Sequence, residues 1–207
     1  IRLTKIPLII MSQVEPGFTR SINYSKKYLY HYVETLVFGN ALDRALNPER
    51  IIIGKKNTDS KTSTKLKSYL SKFKCGILEM SYEESELTKA FINIYLASQL
   101  ITTNNLASIA RALKCDWKII KSALSLDKRI GKFSYINPGL GIAGGNIERD
   151  IKTLKDLSTS LDIKDNFFKF LNKDNKYYKD WLFLQINKYN LNKHKIGILG
   201  ITYKEDT

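Results

Sequence analysis

The feature that most constrains this chain is a long helical pattern that begins at Ser81 and ends near Ala112. Apolar residues recur along it at three- and four-residue steps, which is the spacing of one face of an α-helix. They are Leu87, Ala90, Ile94, Ala97 and Ile101. Further helical patterns cover residues 116–126, 147–161 and 164–189, and no alternating strand pattern interrupts them. The sequence therefore predicts an all-helical region from residue 82 to residue 192.

The residues on either side of this region carry strand signals instead. Pro7–Met11 is an apolar run, Ile51–Ile53 is β-branched and followed by Gly54, and Gly76–Met80 is a third strand-like run. Runs of this kind are typical of buried strands in α/β proteins. A surface helix is predicted over Asn57–Lys72, and a buried strand over Ile196–Ile201. Because the chain opens on an isoleucine and stops soon after a strand, both ends are expected to be cut through α/β domains.

Composition excludes several classes of protein. The 207 residues are 43% hydrophobic and 26% charged, which is typical of a soluble globular chain. No apolar run reaches ~18 residues and no signal peptide is recognisable, so a cytoplasmic protein without a membrane span is predicted. The few cysteines and histidines lack ligand spacing, so no metal site is expected.

The formal net charge of +14 at pH 7 is the one unusual property of the composition. Its lysines are scattered rather than grouped in arginine-rich runs, and no nucleic-acid-binding motif accompanies them. Nucleic-acid binding is therefore the weakest hypothesis. A solvated basic surface, or attraction of an anionic substrate, fits the pattern better.

A glycine-rich window, Pro138–Asp150, lies between two of the predicted helices. Its Gly139, Gly141 and Gly144 spell G-x-G-x-x-G, but a dinucleotide fingerprint needs a strand running into the first glycine, and Asn137 and Pro138 interrupt the approach. A second interpretation is a loop that only caps the next helix, with Asn146 as its N-cap. Amide groups exposed at such a helix start also suit an anion or an oxyanion.

The same window resembles the substrate loop of the UDP-glucose/GDP-mannose dehydrogenase family, P-G-x-G-[FY]-G-G-x-C-x-x-[KR]-D. Proline, three glycines, the basic residue and the aspartate match, whereas Ala143 replaces a glycine and Asn146 replaces the catalytic cysteine. Other motifs similar to the family's follow the family order. They are Ser12–Thr19, Tyr32–Gly39 with Asn47–Gly54, Glu86–Asn93, Asp127–Gly131 and His194–Thr207.

The resemblance implies a fold of α/β plus all-α class. Residues 1–81 would be the C-terminal part of a Rossmann-like NAD-binding domain. Residues 82–192 would be a central helical domain, similar to that of 6-phosphogluconate dehydrogenase, for dimerisation and substrate binding. Residues 193–207 would open a second Rossmann-like domain that binds the nucleotide sugar. The helix from Ser81 carries more apolar residues than one packing face needs, so a homodimer through it is expected, with neither nucleic acid nor membrane as a partner.

The resemblance also implies NAD-dependent oxidation of the C6 alcohol of a nucleotide sugar such as UDP-glucose, first to an aldehyde and then to a uronic acid. Lys89 and Asn93 would hold an oxyanion or a water, Asp150 would carry a proton, Glu34 would assist hydrolysis, and Asn146 would occupy the nucleophile position. The implied substrate-binding residues are Gly139, Gly141, Gly144, Gly145 and Lys204. Ser12 and Gln13 would lie beside the nicotinamide.

Asn146 limits the reaction that this resemblance implies. The nitrogen lone pair of a carboxamide is delocalised, so asparagine cannot replace the thiolate that adds to the aldehyde. Phe38 is a further departure, because it stands where the family has its second glutamate. Three outcomes follow for the second step: oxidation ends at the aldehyde, water attacks directly through a hydrate, or the protein is a catalytically silent sugar-nucleotide-binding or scaffold relative.

Overall fold

The computed structural model describes residues 5–36, 39–142, 145–164, 167–189, 194–197 and 199. The chain divides into two compact units, Ile1–Phe91 and Ile92–Thr207. The first is α/β and the second helical, so the predicted α/β-plus-all-α class is confirmed. The domain boundaries at residues 81 and 192 stay predictions. Half of the strand predicted over Ile196–Ile201, and with it Lys204, lies outside the described residues.

The first unit contains a four-stranded sheet in the order β1 (Leu8–Ile10), β2 (Leu29–Tyr32), β3 (Arg50–Lys55), β4 (Gly76–Ser81). The pairs β1–β2 and β3–β4 are parallel, and β2–β3 is antiparallel. Strands β1, β3 and β4 lie where the apolar runs predicted them. Strand β2 was missed because its sequence, Leu-Tyr-His-Tyr, has neither a long apolar run nor flanking turn residues, although three of its four residues are buried.

The core of this unit forms between the sheet and a short helix. Its buried apolar residues are Tyr30, Ile51, Ile53, Leu66 and Leu70. At the end of β3 the Lys55 ammonium is buried, where it donates to Glu79 Oε2 at 2.5 Å and to the carbonyl of Ser60 at 2.7 Å. A buried lysine needs such partners, because an unpaired charge is very unfavourable in a protein interior.

Three short helices accompany the sheet: α1 (Phe18–Ser21), α2 (Ala41–Leu46) and α3 (Thr64–Leu70), the last followed by a 3-10 turn at Ser71–Phe73. The helix expected over Asn57–Lys72 is therefore shorter than predicted. A turn closed by the Ser60 N–H on the Asn57 carbonyl precedes it. The helix begins only after Ser63, whose side chain accepts from Leu66 N.

The long helix α4 spans Tyr82–Ala112, one residue after the predicted start. Ser81 and Glu84 form a reciprocal cap, in which Glu84 Oε2 accepts from Ser81 N at 2.7 Å and Ser81 Oγ accepts from Glu84 N at 3.3 Å. In the second unit α5 (Trp117–Leu126), α6 (Gly145–Ser160), α7 (Phe167–Lys179) and α8 (Trp181–Lys188) follow. The described residues from 82 to 189 contain no strand. Within the described part of the chain, no helix has the length and apolar character needed to span a membrane.

Candidate functional site

Helix α4 begins alongside strand β2 in the first unit, and a series of hydrogen bonds joins the two elements. The Tyr82 hydroxyl donates to the Leu29 carbonyl, Ser85 Oγ meets His31 Nδ1, and Lys89 Nζ donates to the Glu34 carbonyl, each at 2.8 Å. Successive turns of α4 thus contact residues progressively further along β2. This arrangement brings Lys89 to the carboxyl end of the strand.

A glycine permits this close approach. A Cβ on Gly54 would overlap Ser85 Oγ and lie 2.9 Å from Ser85 Cβ and 3.1 Å from His31 Cβ. Gly54 lies opposite His31 in the β2–β3 register. The glycine therefore leaves room for the first turn of α4 against the sheet.

The same edge of the sheet carries Ser12 and Glu34, because β1 and β2 run parallel and both residues follow the carboxyl ends of these strands. Ser12 is exposed and Gln13 is half-buried. Glu34 is half-buried, and its carboxylate accepts from the Leu36 N–H, so Lys89 contacts its carbonyl rather than its carboxylate. Carboxyl ends of parallel strands are the usual ligand-binding edge of open α/β sheets.

Two buried side chains that motif reasoning gave no role surround this edge. His31 Nε2 lies 3.4 Å from the Ser12 carbonyl oxygen. Burial lowers the pKa of His31 below its ordinary value of 6.5, and the Glu86 charge opposes that shift. Glu86 is only 2% exposed and accepts from Gly17 N at 2.6 Å and from Thr19 N at 2.8 Å. It therefore anchors the segment that follows Ser12 and Gln13.

In the second unit Asn93 and Asp150 are joined directly. Asn93 Nδ2 donates to Asp150 Oδ2 at 2.7 Å, and Asp150 is 4% exposed. This contact brings together the predicted asparagine of α4 and the predicted proton carrier of α6. A buried carboxylate with a fixed donor is suited to holding and exchanging a proton in a defined direction.

Asn146 differs from Asp150 in its surroundings although it lies one turn earlier on α6. It is exposed, and its Oδ1 accepts from Arg149 Nη2 at 3.4 Å. The prediction that Asn146 caps α6 is wrong, since the helix already begins at Gly145. Asn146 therefore lies inside the first turn of α6, where its side chain does not act as the N-cap.

The glycine window is held by side chains of two helices. Gly139 N donates to Asn104 Oδ1 at 2.8 Å, and Ile142 N donates to Asn175 Oδ1 at 2.6 Å. Gly141 has a φ of +93°, and a Cβ there would lie 2.8 Å from Asn175 Oδ1, so this position requires glycine. Gly145 is the first residue of α6, whereas Gly144 lies outside the described residues. Residues 131–138 form turns and bends without a strand, which excludes the dinucleotide fingerprint.

Asn104 and Asn175 were missed by the sequence analysis, although a signal existed for the first. The apolar series of α4 reaches Ala97 and Ile101, and its next position on that face is Asn104, which is buried. A polar residue at a core position needs a partner, and the glycine window supplies one. Asn175 gives a weaker signal, since it shares the buried face of α7 with Leu171 and Tyr178 within a lysine- and asparagine-rich segment.

Metal chemistry has no evident ligand set in the described part of the chain, where no three His, Cys, Asp or Glu side chains are grouped to hold an ion. The first unit offers a lysine ammonium, and the second unit offers a buried aspartate with its asparagine partner and a glycine window.

Comparison with known proteins shows which family the chain resembles. Residues 83–177 match the UDP-glucose/GDP-mannose dehydrogenase family, central domain. The resemblance to this family is confirmed. The matched segment contains Lys89, Asn93, Asn146 and Asp150 together with the whole glycine window.

Individual relatives of this dehydrogenase family match beyond the central domain. UDP-glucose 6-dehydrogenase from Campylobacter jejuni is 34% identical over 201 residues, which are 96% of this chain and 49% of the relative. UDP-glucose 6-dehydrogenase from Rickettsia prowazekii is 29% identical over 211 residues, 97% of this chain and 48% of the relative. The chain thus spans about half the length of the curated relatives it matches.

Solved structures of the dehydrogenase family share the fold. A UDP-glucose dehydrogenase from the hyperthermophilic archaeon Pyrobaculum islandicum has a TM-score of 0.77 and 25% identity, over 88% of this chain and 44% of that protein. A UDP-D-ManNAc dehydrogenase from Pyrococcus horikoshii has a TM-score of 0.68 at 18% identity, over 89% of this chain and 46% of that protein, and shows the fold alone. Both the α/β and the helical parts of this chain therefore have counterparts of known structure.

Proposed function

We propose that the full-length protein containing this chain oxidises the C6 alcohol of a nucleotide sugar, with NAD as the oxidant and UDP-glucose as the first substrate to test. The observation that carries the proposal is the 2.7 Å hydrogen bond between Asn93 and Asp150, because it joins two motifs that are 57 positions apart in the sequence and that resemble the family's active-site motifs. The matched relatives from Campylobacter and Rickettsia, both named UDP-glucose 6-dehydrogenases, support the choice of substrate.

The residues at the carboxyl end of β1 fit the nicotinamide end of NAD. Ser12 is exposed there, and Glu86 anchors the following segment through Gly17 and Thr19. Ser12 and Gln13 would hold the nicotinamide, and NAD bound there would supply the hydride acceptor. A fixed segment at a strand end is where ligands of open α/β sheets bind.

For the first oxidation, we assign charge stabilisation to Lys89 and proton transfer to Asp150. The Lys89 ammonium can stabilise the alkoxide that develops at the C6 oxygen. Asp150 accepts the hydroxyl proton, and Asn93 keeps its carboxylate oriented. The alcohol would lose its hydroxyl proton to Asp150 and its C6 hydride to bound NAD, and would so become an aldehyde. We assign substrate binding to Gly139, Gly141, Gly144 and Gly145, of which the Gly139 amide is already bonded to Asn104 Oδ1. We assign the nucleotide end of the substrate to Lys204.

For the second oxidation, the exposed Asn146 provides no nucleophile, and Glu34 remains as a group that could assist attack by water. The aldehyde is therefore the expected end product, unless it is oxidised through its hydrate. The alternative function is a catalytically silent relative that binds sugar nucleotides or serves as a scaffold, which the Asn146 substitution itself favours.

Two measurements on the full-length protein separate these functions. NADH absorbance with UDP-glucose and NAD reports oxidation, and titration calorimetry with UDP-glucose alone reports binding. Turnover supports the dehydrogenase. Binding without NADH formation supports the silent relative, and the absence of both contradicts the assignment of Pro138–Asp150 as a substrate loop and leaves it as a loop that only starts α6.

The substitution Asn146→Cys tests the nucleophile position. A thiolate at the start of α6 would restore the covalent step, and we expect the rate of acid formation from the nucleotide-linked aldehyde to rise by ~10²-fold or more. Product analysis and a burst of NADH measure the gain, and a trapped thioester would support it. The double variant with Asp150→Asn is the control. If Asn146→Cys binds UDP-glucose and still forms no more acid than the parent, the nucleophile assignment is wrong.

We further propose a homodimer through α4. Tyr95, Leu106 and Ile109 lie on one face of this helix and are 69%, 46% and 58% exposed. The opposite face carries the buried Ala97, Ile101 and Ala107. One helix therefore has two apolar faces, of which the second unit covers one, and a second copy of α4 would cover the other.

A further inference from the structure

In the described loop part of the glycine window, side chains rather than secondary structure hold the backbone. Residues 138–142 form neither helix nor strand. Two of their amides, those of Gly139 and Ile142, donate to the side-chain oxygens of Asn104 and Asn175. The two asparagines come from different helices, α4 and α7, and both are at least 97% buried.

Asn104 serves this contact through its oxygen alone. Its Oδ1 accepts from Gly139 N at 2.8 Å, whereas its buried Nδ2 has no hydrogen-bond partner. A buried amide nitrogen without a partner is unfavourable by an amount comparable to a lost hydrogen bond. The buried position of Asn104 is therefore explained by its Oδ1, which accepts a hydrogen bond from the loop.

Asn175 connects the loop to the start of α6. Its Oδ1 accepts from Ile142 N at 2.6 Å, and its Nδ2 donates to Glu148 Oε1 at 3.4 Å. Glu148 belongs to the first turn of α6 and is also paired with Lys179 of α7. Gly141 packs directly on Asn175, where a Cβ would not fit. One buried side chain therefore contacts both the glycine window and the helix that carries Asn146 and Asp150.

We propose that Asn104 and Asn175 are positioning residues, which hold the backbone of Gly139–Ile142 in the conformation that receives a sugar nucleotide. The inference rests on the proposed function for the identity of the ligand. A loop held in its binding conformation loses less conformational entropy when the ligand binds. Each asparagine therefore contributes to sugar-nucleotide affinity without touching the ligand.

The test uses the full-length protein with Asn104→Leu and Asn175→Leu, which keep similar bulk and remove the acceptor. Hydrogen exchange resolved at Gly139 and Ile142, and calorimetric titration with UDP-glucose, are measured on each. We expect protection to fall roughly tenfold at Gly139 in the first variant and at Ile142 in the second. UDP-glucose Kd should rise roughly tenfold in both, with KM affected more than kcat.

Two further variants separate positioning from general packing. Asn104→Asp keeps an oxygen for Gly139, so protection at Gly139 should exceed that of Asn104→Leu, although burial of the carboxyl group lowers the stability of the variant. Asn172→Ala, on the exposed side of α7, should change neither protection nor UDP-glucose affinity. Should a leucine variant not fold, alanine replaces leucine in the same comparison.

The outcomes distinguish this inference from the proposed function. Unchanged protection at both amides in the leucine variants overturns the positioning role. Lost protection with unchanged UDP-glucose affinity overturns the link between the loop and the ligand. If the parent binds no UDP-glucose, the ligand assignment fails together with the proposed function, and the exchange data still decide whether the asparagines hold the loop.

Discussion

At the scale of single residues, the contacts of α4 explain why particular residue types occupy particular positions. Gly54 leaves room for Ser85, and His31 pairs with Ser85. Glu86 accepts from two amides at the start of α1, those of Gly17 and Thr19. Each of these contacts joins positions that are far apart in the sequence. For this reason we expect a substitution at any of these positions to change how α4 packs on the sheet.

Gly54→Ala should destabilise the protein by about 1–3 kcal/mol, because the new methyl group overpacks against Ser85 and His31. Urea unfolding measures the loss. The matched control is Gly76→Ala on the neighbouring strand β4, where a Cβ would have no atom within 4 Å. Equal stability of the two variants would contradict the close packing of α4 on β3.

His31 should make stability depend on pH. Burial lowers its pKa below the ordinary 6.5, so the folded protein binds a proton there less readily than the unfolded chain. The contribution is complete above about pH 6.5 and is lost as pH falls through the folded pKa. Between about pH 7 and about pH 5, the free energy of unfolding should fall less in His31→Asn than in the parent.

The exposed His194 supplies the control for this pH dependence. His194→Asn should retain the pH profile of the parent in the same denaturation experiments. A His31→Asn profile that overlays the parent would show that His31 does not titrate differently in the folded and unfolded states.

The roles proposed for individual residues differ in how far they can be predicted from the sequence. Lys89, Asn93 and Asp150 are found from motif spacing, because helical periodicity and a resemblance place them without knowledge of the fold. Asn175 and Glu86 acquire their roles only when helices from distant parts of the chain meet. Asn104 stands between these cases, since its interruption of an apolar series is visible but its partner, Gly139, is not.

At the scale of elements, α4 is the best-predicted part of the chain, and strand β2 and helix α2 are the least. A 31-residue helix averages over many positions, so its pattern survives a few polar interruptions such as Asn104. Strand β2 has four residues and helix α2 has six. In segments this short, a periodic pattern of apolar residues cannot be distinguished from a chance arrangement. Their formation depends on the neighbouring strands that pair with or cover them, which no local pattern records.

Glu86 shows how the start of α4 supports an element outside itself. Glu86→Ala would leave the amides of Gly17 and Thr19 without their acceptor, and we expect a loss of about 3 kcal/mol in the free energy of unfolding. Glu86→Gln, which retains one acceptor oxygen, should lose less. Glu84→Ala, which removes only the exposed cap of α4, should have a much smaller effect, and equal losses at positions 84 and 86 would contradict the anchoring role.

At the scale of the whole molecule, the chain corresponds to about half of the dehydrogenases that it matches. The proposed turnover, dimer and loop anchoring are therefore tested on the full-length protein. The scattered positive charge, +14 in total, is compatible with an anionic sugar-nucleotide substrate, since a net positive field raises the encounter rate of a negatively charged ligand.

The proposed dimer is tested by placing a charge on the exposed face of α4. Ile109→Glu would bury an unpaired carboxylate in the interface, so the full-length variant should dissociate to a monomer in sedimentation experiments. Leu126→Glu on α5, at a leucine that is 84% exposed, should leave the dimer intact. A parent protein that sediments as a monomer at every concentration refutes the dimer.

The number of residues between Asn93 and Asn104 in α4 is constrained separately from the identity of those residues. Within the second unit it presents Asn93 to Asp150 and Asn104 to Gly139. A helix rises ~1.5 Å and turns by ~100° with each residue, so deletion of one residue between these positions would preserve every motif letter and still turn Asn104 away from the loop. Related sequences that have kept a working glycine window should therefore align without gaps across this segment, and a gap here identifies a homologue that has lost the anchor of its loop.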